Sequence, residues 1–312
     1  MKIAEASDLA SLFRSYPIWN TLMSISLNYQ KLLAEAGYIA GKRLSLAISM
    51  AETLERPLLL EGEAGAGKTF VAQSLAKALG RDLIRLQCYE GLDAQQSIYE
   101  WNYQRQMLAI ALAGKQNNSL EDADLFSSDN LIRRPLLDSI SRQQAPVLLI
   151  DEVDRADEEF EAFLLEILSE YQVTIPELGA IQAVSKPLVI ITSNGVRDIS
   201  DALRRRCLFQ YVEYPDYATE LRIIQVHLPQ CSLKLASSVA AFVAQLRKED
   251  LNKNPGVAET LDWAAALMGL QITDVAESLE QAYDALFCLL KTKEDQDQIP
   301  FSVFERLVAR SI

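Results

Sequence analysis

Leu58-Leu59-Leu60-Glu61-Gly62-Glu63-Ala64-Gly65-Ala66-Gly67-Lys68-Thr69-Phe70 is the stretch that decides the fold. Three leucines make a short buried-strand run, Gly62 to Thr69 satisfies GxxxxGK[ST], and an Ala-rich helical pattern follows from Thr69 to Leu79. Small residues at Gly62, Ala64, Gly65, Ala66 and Gly67, with Glu63 between them, let backbone N–H groups point inward at a phosphate. The start of the following helix adds favourable partial charge. In that setting Lys68 reaches β- and γ-phosphate oxygens, Thr69 offers its hydroxyl to Mg2+, and Phe70 closes the segment. The strand on one side and the helix on the other separate this pattern from a chance glycine turn.

Working outward, Leu83 to Leu86, Val147 to Ile150, Leu188 to Ile191 and Leu208 to Val212 are apolar runs of strand length. Helical patterns separate them, as a parallel sheet with crossover helices requires. The fold expected is α/β, a three-layer αβα core with a parallel five-stranded sheet, followed by a smaller all-helical domain. Upstream, Ile18 to Leu54 reads as two helices hinged at Gly37-Tyr38-Ile39-Ala40-Gly41. Asp93 to Ala113 has helical composition, and Lys115 to Asp124 reads as a polar loop. Tyr171 to Ile175 and Ala180 to Val184 flank Pro176 and Gly179 as a hairpin. After Pro215, helices are expected over Tyr217 to His227, Leu235 to Leu246, Val257 to Leu270, Val275 to Lys291 and Phe301 to Ile312. The division is an N-terminal helical extension over 1–36, a nucleotide-binding core over 37–213 and a helical domain over 214–312.

The second chemical element is Val147-Leu148-Leu149-Ile150-Asp151-Glu152, a strand ending in paired acids at the carboxyl edge, where α/β sheets bind ligands. Asp151 is expected to hold Mg2+ or its water, and Glu152 to orient and polarise an attacking water. Asp154, Asp157, Glu158, Glu159 and Glu161 read mainly as the solvated, favourably charged start of a helix, with an acidic partner surface as the alternative. Asn194, in Thr192-Ser193-Asn194-Gly195, offers a neutral amide one strand away from the acids; read alone it is a turn residue. Arg204-Arg205-Arg206 is a dense cationic group whose guanidinium forks suit a γ-phosphate, either a neighbouring copy's or, in the plainer reading, nothing beyond surface ion pairs. Tyr99, Trp101 and Tyr103 line a pore or pack in the core.

The 312 residues carry a formal net charge of −13, which disfavours a polyanion as partner, so nucleic acid is not expected. Nothing approaches 18 consecutive apolar residues, so no stable membrane insertion is expected. Four scattered cysteines without CxxC spacing, and His227 as the one histidine, indicate neither a zinc site nor a disulfide framework. With no basic n-region ahead of an apolar block, the reading is a reduced, cytoplasmic chain.

Taken in order and spacing, the phosphate loop, the paired acids, Asn194 and the arginines resemble the AAA+ superfamily and within it the MoxR family. The likeness runs from Tyr38 to the end. Arg85-Leu86-Gln87-Cys88-Tyr89-Glu90-Gly91, Tyr99-Glu100-Trp101-Asn102-Tyr103, Asp151 through Phe163, and Pro255-Gly256-Val257-Ala258-Glu259-Thr260-Leu261-Asp262-Trp263 look like its CoxD-type branch. The resemblance implies ATP and Mg2+ as cofactors, ATP hydrolysis, and a hexameric ring in which Arg205 or Arg206 completes the next subunit's site. It also implies chaperone-like work with a von Willebrand factor A domain protein on a client metalloenzyme, the molybdenum and copper centre of carbon monoxide dehydrogenase being the specific case. The hinge matches the place where the family's linker covers adenine, so Tyr38 and Ile39 are ring contacts on this reading and core residues on the plainer one. Where many members carry a sensor 2 arginine, this chain reads Val257-Ala258-Glu259. The alternatives are an AAA+ ATPase acting on DNA and another P-loop NTPase; for a GTPase, Asp151-Glu152-Val153-Asp154 lacks the DxxG glycine, and Thr292-Lys293-Glu294-Asp295 lies too far along to read guanine.

Overall fold

The computed structural model describes residues 28–93, 97–116 and 125–311. The expected helix from Ile18 is seen from residue 28, helical to 35, with the rest of the N-terminal extension outside the described residues. Two compact units are present, one of Gly41–Glu61 and Val71–Tyr211 with the segment before Leu33, the other of Leu33–Ala40, Gly62–Phe70 and Val212–Ile312.

In the first unit, β1 (Leu58–Glu61), β2 (Leu83–Gln87), β5 (Val147–Asp151), β8 (Leu188–Ser193) and β9 (Leu208–Tyr211) form one sheet in the order β2-β5-β8-β1-β9. Every pairing is parallel. β5 and β8 are buried along their whole length, which is why they read as unbroken apolar runs. On β2 burial alternates: Ile84 and Leu86 face the core, while Arg85 and Gln87 stand on the other face. Parallel strands bring the carboxyl ends of β1, β5 and β8 to one edge. The expected hairpin is present as β6 (Gln172–Ile175) and β7 (Gly179–Gln182), paired antiparallel.

The expected helix from Asp93 is a correction. Tyr99–Trp101 is strand β3, paired antiparallel with β4 (Leu131–Arg133), and it divides the stretch: among the described residues, 97–98 are helical before it and Tyr103–Gln116 after it. Asn102 starts that helix by accepting from Arg105 N at 3.0 Å. Trp101 is buried against Phe126 with ring centroids 5.2 Å apart, so it is a core residue, whereas Tyr103 is exposed. Of Lys115 to Asp124, residues 115–116 are helical and the remainder lies outside the described residues.

The acidic run needs correction as well. Only part of it faces water: Asp157 caps the helix Glu158–Glu170 by accepting from Phe160 N, and Glu158 and Glu159 are exposed. Asp154 and Glu161 are buried. Asp154 Oδ2 accepts from Asn194 N and Val196 N, and Glu161 accepts from Ser200 N and Arg197, so both carboxylates tie down the segment after β8.

In the second unit, helices Tyr217–His227, Leu233–Leu246, Val257–Gly269 and Phe301–Ser311 match the expected positions closely. Phe242 packs on Trp263 and Phe304 at centroid distances of 5.0 and 4.9 Å. The single helix expected from Val275 to Lys291 is instead three short pieces, Val275–Glu277, Leu279–Asp284 and Ala285–Cys288. Asp274 caps the first turn by accepting from Ala276 N, and Ser278 leaves helical geometry at φ −140, ψ 52. Thr292 to Asp295 starts a further helix, Lys293–Gln298, and buried Asp295 accepts from Asn252 N, Lys253 N and Thr292 Oγ1. Among the described residues no helix is long and apolar enough to cross a membrane.

Arg247 is the polar hub of this unit. Its guanidinium meets Glu220 at 2.6 and 3.0 Å, donates to Pro255 O at 2.9 Å and lies 4.7 Å from the Tyr214 ring centroid. Both members of the pair are nearly buried, at 9% and 2% exposed. Removing one charge strands the other, a loss of about 3–5 kcal/mol. Arg247→Met should therefore lower the free energy of urea unfolding by at least about 3 kcal/mol, and a loss under about 1 kcal/mol would mean the pair adds nothing to this unit.

Candidate active site

The phosphate loop leaves β1 at Glu61 and enters helix at Lys68. Gly62 is obligatory, because a Cβ there would lie 2.1 Å from Val212 O. Lys68 is buried and donates through Nζ to Gly62 O at 2.6 Å and Glu63 O at 2.8 Å, which folds the ammonium over its own loop. Glu63, Ala64 and Gly65 are exposed, Ala66 is buried, and Gly67, Thr69 and Phe70 are half-buried. Tyr214 OH donates to Ala64 O at 2.7 Å.

Next to the loop the same unit gathers three rings. Tyr38 Cε2 lies 3.7 Å from where a Cβ on Gly67 would stand, Tyr38 and Phe70 have centroids 6.1 Å apart, and Phe70 and His227 5.8 Å. Burial pushes the Tyr38 hydroxyl above its ordinary pKa, so it stays protonated at neutral pH. His227 Nε2 is 3.0 Å from Gly37 O, fixing the ring against the hinge, and Ile39 is half-buried beside it in sequence. Sequence reading passed over His227, since a lone histidine at a helix end carries no pattern.

On its other side, at Gly256 and Val257, the loop meets backbone. Val257 N donates to Gly65 O at 3.0 Å, and Gly256 Cα lies 2.8 Å from where a Cβ on Gly65 would stand. Glu259 Oε2 accepts from Gly256 N at 3.1 Å, so the side chain three residues into helix Val257–Gly269 satisfies the amide at its start.

In the first unit, Asp151 ends β5 with 1% of its surface exposed. Thr192 Oγ1 donates to its Oδ1 at 2.5 Å, while Arg85 donates to Oδ2 through Nε at 3.0 Å and Nη2 at 2.6 Å. Glu152 is held in the left-handed region, φ 56 and ψ 51, a strained conformation for this residue. Its N–H donates to Thr192 Oγ1 at 2.9 Å, so one hydroxyl on β8 fixes both acids. The Glu152 carboxylate accepts from Asn194 Nδ2 at 3.2 Å and Gln87 Nε2 at 3.0 Å, and pairs with Arg155 at 3.0 Å. Cys88 lies behind this edge. Burial and the neighbouring acids Asp151, Asp154 and Glu152 push its thiol from an ordinary 9.0 up to about 12, so it remains a neutral thiol.

The three arginines part company. Arg204 pairs with Glu61 at 3.0 Å and lies over Phe209, whereas Arg205 and Arg206 are exposed and make no ion pair among the described residues. Arg56 caps their helix by donating to Arg205 O, Arg206 O and Cys207 O. The first unit thus brings together Asp151, Glu152 and Asn194, and the second brings together Gly62 to Phe70 with Tyr38.

Residues 57–207 match the model of the AAA domain, dynein-related subfamily. This segment is an AAA domain. It carries four strands of the parallel five-stranded sheet, with β9 and then the helical region following it in the chain. The chain is 29% identical over 167 residues to Lon protease of Campylobacter jejuni, a match covering 51% of this chain and 18% of that protein. It is 22% identical over 243 residues to the gas vesicle ATPase GvpN of Haloferax mediterranei, covering 75% of this chain and 67% of the relative. Among solved structures, the RuvB Holliday junction branch migration motor of Thermotoga maritima superposes with a TM-score of 0.43 at 18% identity, over 78% of this chain and 66% of that one.

The Gly65 and Gly256 backbones touch too closely for a side chain. Gly256 has φ −82, which alanine tolerates, so substitution there acts through contact alone: a Cβ would lie 2.7 Å from Gly65 Cα and 2.8 Å from Gly65 O. In Gly256→Ala the Val257 amide should exchange with solvent at least about tenfold faster, an opening of ~1.4 kcal/mol. Unchanged protection by hydrogen exchange would show that the contact does not hold the loop.

Proposed function

We propose that this chain binds and hydrolyses ATP and uses the turnover to remodel another protein. The observation that carries the reading is the set Asp151, Glu152 and Asn194 at the carboxyl edge of β5 and β8, within an AAA domain whose β1 runs directly into GxxxxGK[ST]. The nucleotide-binding core takes residues 37–213 and the helical domain 214–312.

In this reading the backbone of Gly62 to Thr69 wraps the β-phosphate, and Lys68 exchanges the carbonyls of Gly62 and Glu63 for phosphate oxygens. Tyr38, Ile39 and Phe70 contact the base. Thr69 and Asp151 are the candidate Mg2+ ligands, each offering the hard oxygen donor such an ion takes, and the ion would offset the charge of the phosphates. Glu152 accepts the proton of the attacking water, Asn194 supplies a neutral donor beside it, and the strained backbone at residue 152 aims the carboxylate. Arg205 and Arg206, exposed and unpaired among the described residues, stabilise the γ-phosphate of a neighbouring copy in a ring, with a hexamer as the expected assembly.

Protein, rather than nucleic acid, is the proposed client. The net charge of −13 opposes a polyanion, and helix Tyr103–Gln116 exposes Tyr103, Met107, Leu108, Ile110 and Leu112. Of the finer readings, we favour a MoxR-type protein of the CoxD-like branch, working in the cytoplasm with a von Willebrand factor A domain partner on a metalloenzyme. The sequence stretches around Arg85, Tyr99 and Pro255 support it. The match to GvpN over three-quarters of this chain keeps a gas-vesicle role as the second reading.

ATP turnover measured across protein concentration, with light scattering, tests the proposal. Specific activity should rise with assembly, and Glu152→Gln and the double variant Arg205→Ala/Arg206→Ala should each lower turnover by about 100-fold or more. Concentration-independent turnover by a monomer, indifferent to the arginines, would contradict the shared-site ring.

A further inference from the structure

Glu161 is fully buried on the helix Glu158–Glu170, which follows the paired acids in the chain. Its two oxygens serve one short segment: Oε1 pairs with Arg197, and Oε2 accepts from Ser200 N at 2.8 Å. Arg197 also donates to Ala156 O at 2.7 Å and Asp198 O at 2.9 Å, which ties that segment back to the chain leaving the acids. Ser200 is where the helix Asp201–Arg206 starts: its Oγ accepts from Leu203 N at 3.4 Å and its carbonyl from Arg204 N at 3.0 Å. A helix this short is marginal on its own, so the direction of Arg205 and Arg206 is set by whatever holds its ends. Arg56 holds the far end through the carbonyls of Arg205, Arg206 and Cys207, and Glu161 holds the near end.

We propose that Glu161 is a positioning residue that aims Arg205 and Arg206 at the nucleotide of a neighbouring copy, so that its loss is felt in the next copy's site and not in its own. The inference rests on the reading that these two arginines serve a neighbour's γ-phosphate. Two buried carboxylates divide the segment between β8 and the arginine helix. Asp154 Oδ2 holds Asn194 N at 3.2 Å and Val196 N at 2.9 Å, the end whose Asn194 amide reaches Glu152. Glu161 holds the other end, where the arginine helix begins. A carboxylate suits that task because both of its oxygens accept, and a charged acceptor makes short, strong bonds. In Glu161→Gln the side chain keeps its size, yet one terminal atom becomes an NH2 that faces Arg197 or the Ser200 N–H as donor against donor. The start of the helix then shifts, and groups that act by position lose much of their effect when displaced by about 1 Å.

The test is ATP turnover by mixtures of two full-chain variants. Lys68→Ala lacks the grip on phosphate but still presents the arginines, and Arg205→Ala/Arg206→Ala keeps the grip but presents none. Each alone should be near background, and mixing should restore turnover at the sites formed between them. Glu161→Gln added to the Lys68→Ala chain should lower the restored turnover by about tenfold. Added instead to the Arg205→Ala/Arg206→Ala chain, it should leave the restored turnover within about twofold, as independent sites do. Ser200→Ala removes the cap on Leu203 while keeping the N–H that Glu161 holds, so it should give a smaller one-sided loss of about threefold. It also decides the matter if the glutamine variant does not fold. An equal drop on both sides would put Glu161 to work in its own copy's site or in folding, and no drop on either would free the arginines from it; both results overturn the proposal. Parent mixtures that recover no turnover overturn the shared site itself, and this inference with it.

Discussion

Asp151 places a carboxyl group at the end of a strand buried along its whole length, and the first unit is arranged around the need to give it hydrogen-bond partners. β5 lies between β2 and β8, and each neighbour sends in one donor, Arg85 from one side and Thr192 from the other. Register makes this possible: Gln87 stands opposite Asp151 on β2, which puts Arg85 two residues back on the same face. Thr192 then accepts from the Glu152 amide and stabilises the left-handed backbone that turns Glu152 out of the sheet. Asp154, two residues further on, anchors Asn194 and Val196 through their amides. The placement of Glu152 and Asn194 thus follows from satisfying buried carboxylates.

The second unit solves a different problem, how to hold a loop of small residues in one conformation. Its answers are close backbone contacts and one buried guanidinium. Gly62 against Val212 and Gly65 against Gly256 bring main chain onto main chain, and Arg247 fixes Pro255, Glu220 and Tyr214 around them. Against Gly65 the chain presents the N–H of Val257, with a capping carboxylate at Glu259. Coupling of the helical domain to the loop therefore runs through backbone geometry.

Much of this was legible in the sequence because the signals were local. The leucine run before Gly62, the four apolar residues before Asp151 and the 3.6-residue periods of Tyr217–His227 and Leu233–Leu246 each depend on neighbours a few positions away. What escaped depends on distant partners. Tyr99–Trp101 has helical composition around it but becomes strand because Leu131–Arg133 pairs with it. Asp154 and Glu161 look like the solvated start of a helix until backbone amides after β8 are seen to need them. Arg85, Gln87 and His227 carry no motif, and their roles come from the strand register and the hinge that bring them to Asp151, Glu152 and Gly37. Thr292 to Asp295 shows the converse: a string resembling a guanine-binding motif is a helix cap.

Isothermal titration calorimetry of ATP with the wild-type chain and Lys68→Ala, in Mg2+ buffer, tests the central claim most directly. Lys68 is buried and donates to the carbonyls of Gly62 and Glu63, so its loss would remove the charge that the proposed phosphate loop offers. The account predicts saturable, one-site binding by the wild type and a loss of at least about 100-fold in affinity in the variant, ~2.7 kcal/mol. Equal affinities in the two chains would mean that ATP is not held by Gly62 to Thr69, and the account would fail at its foundation.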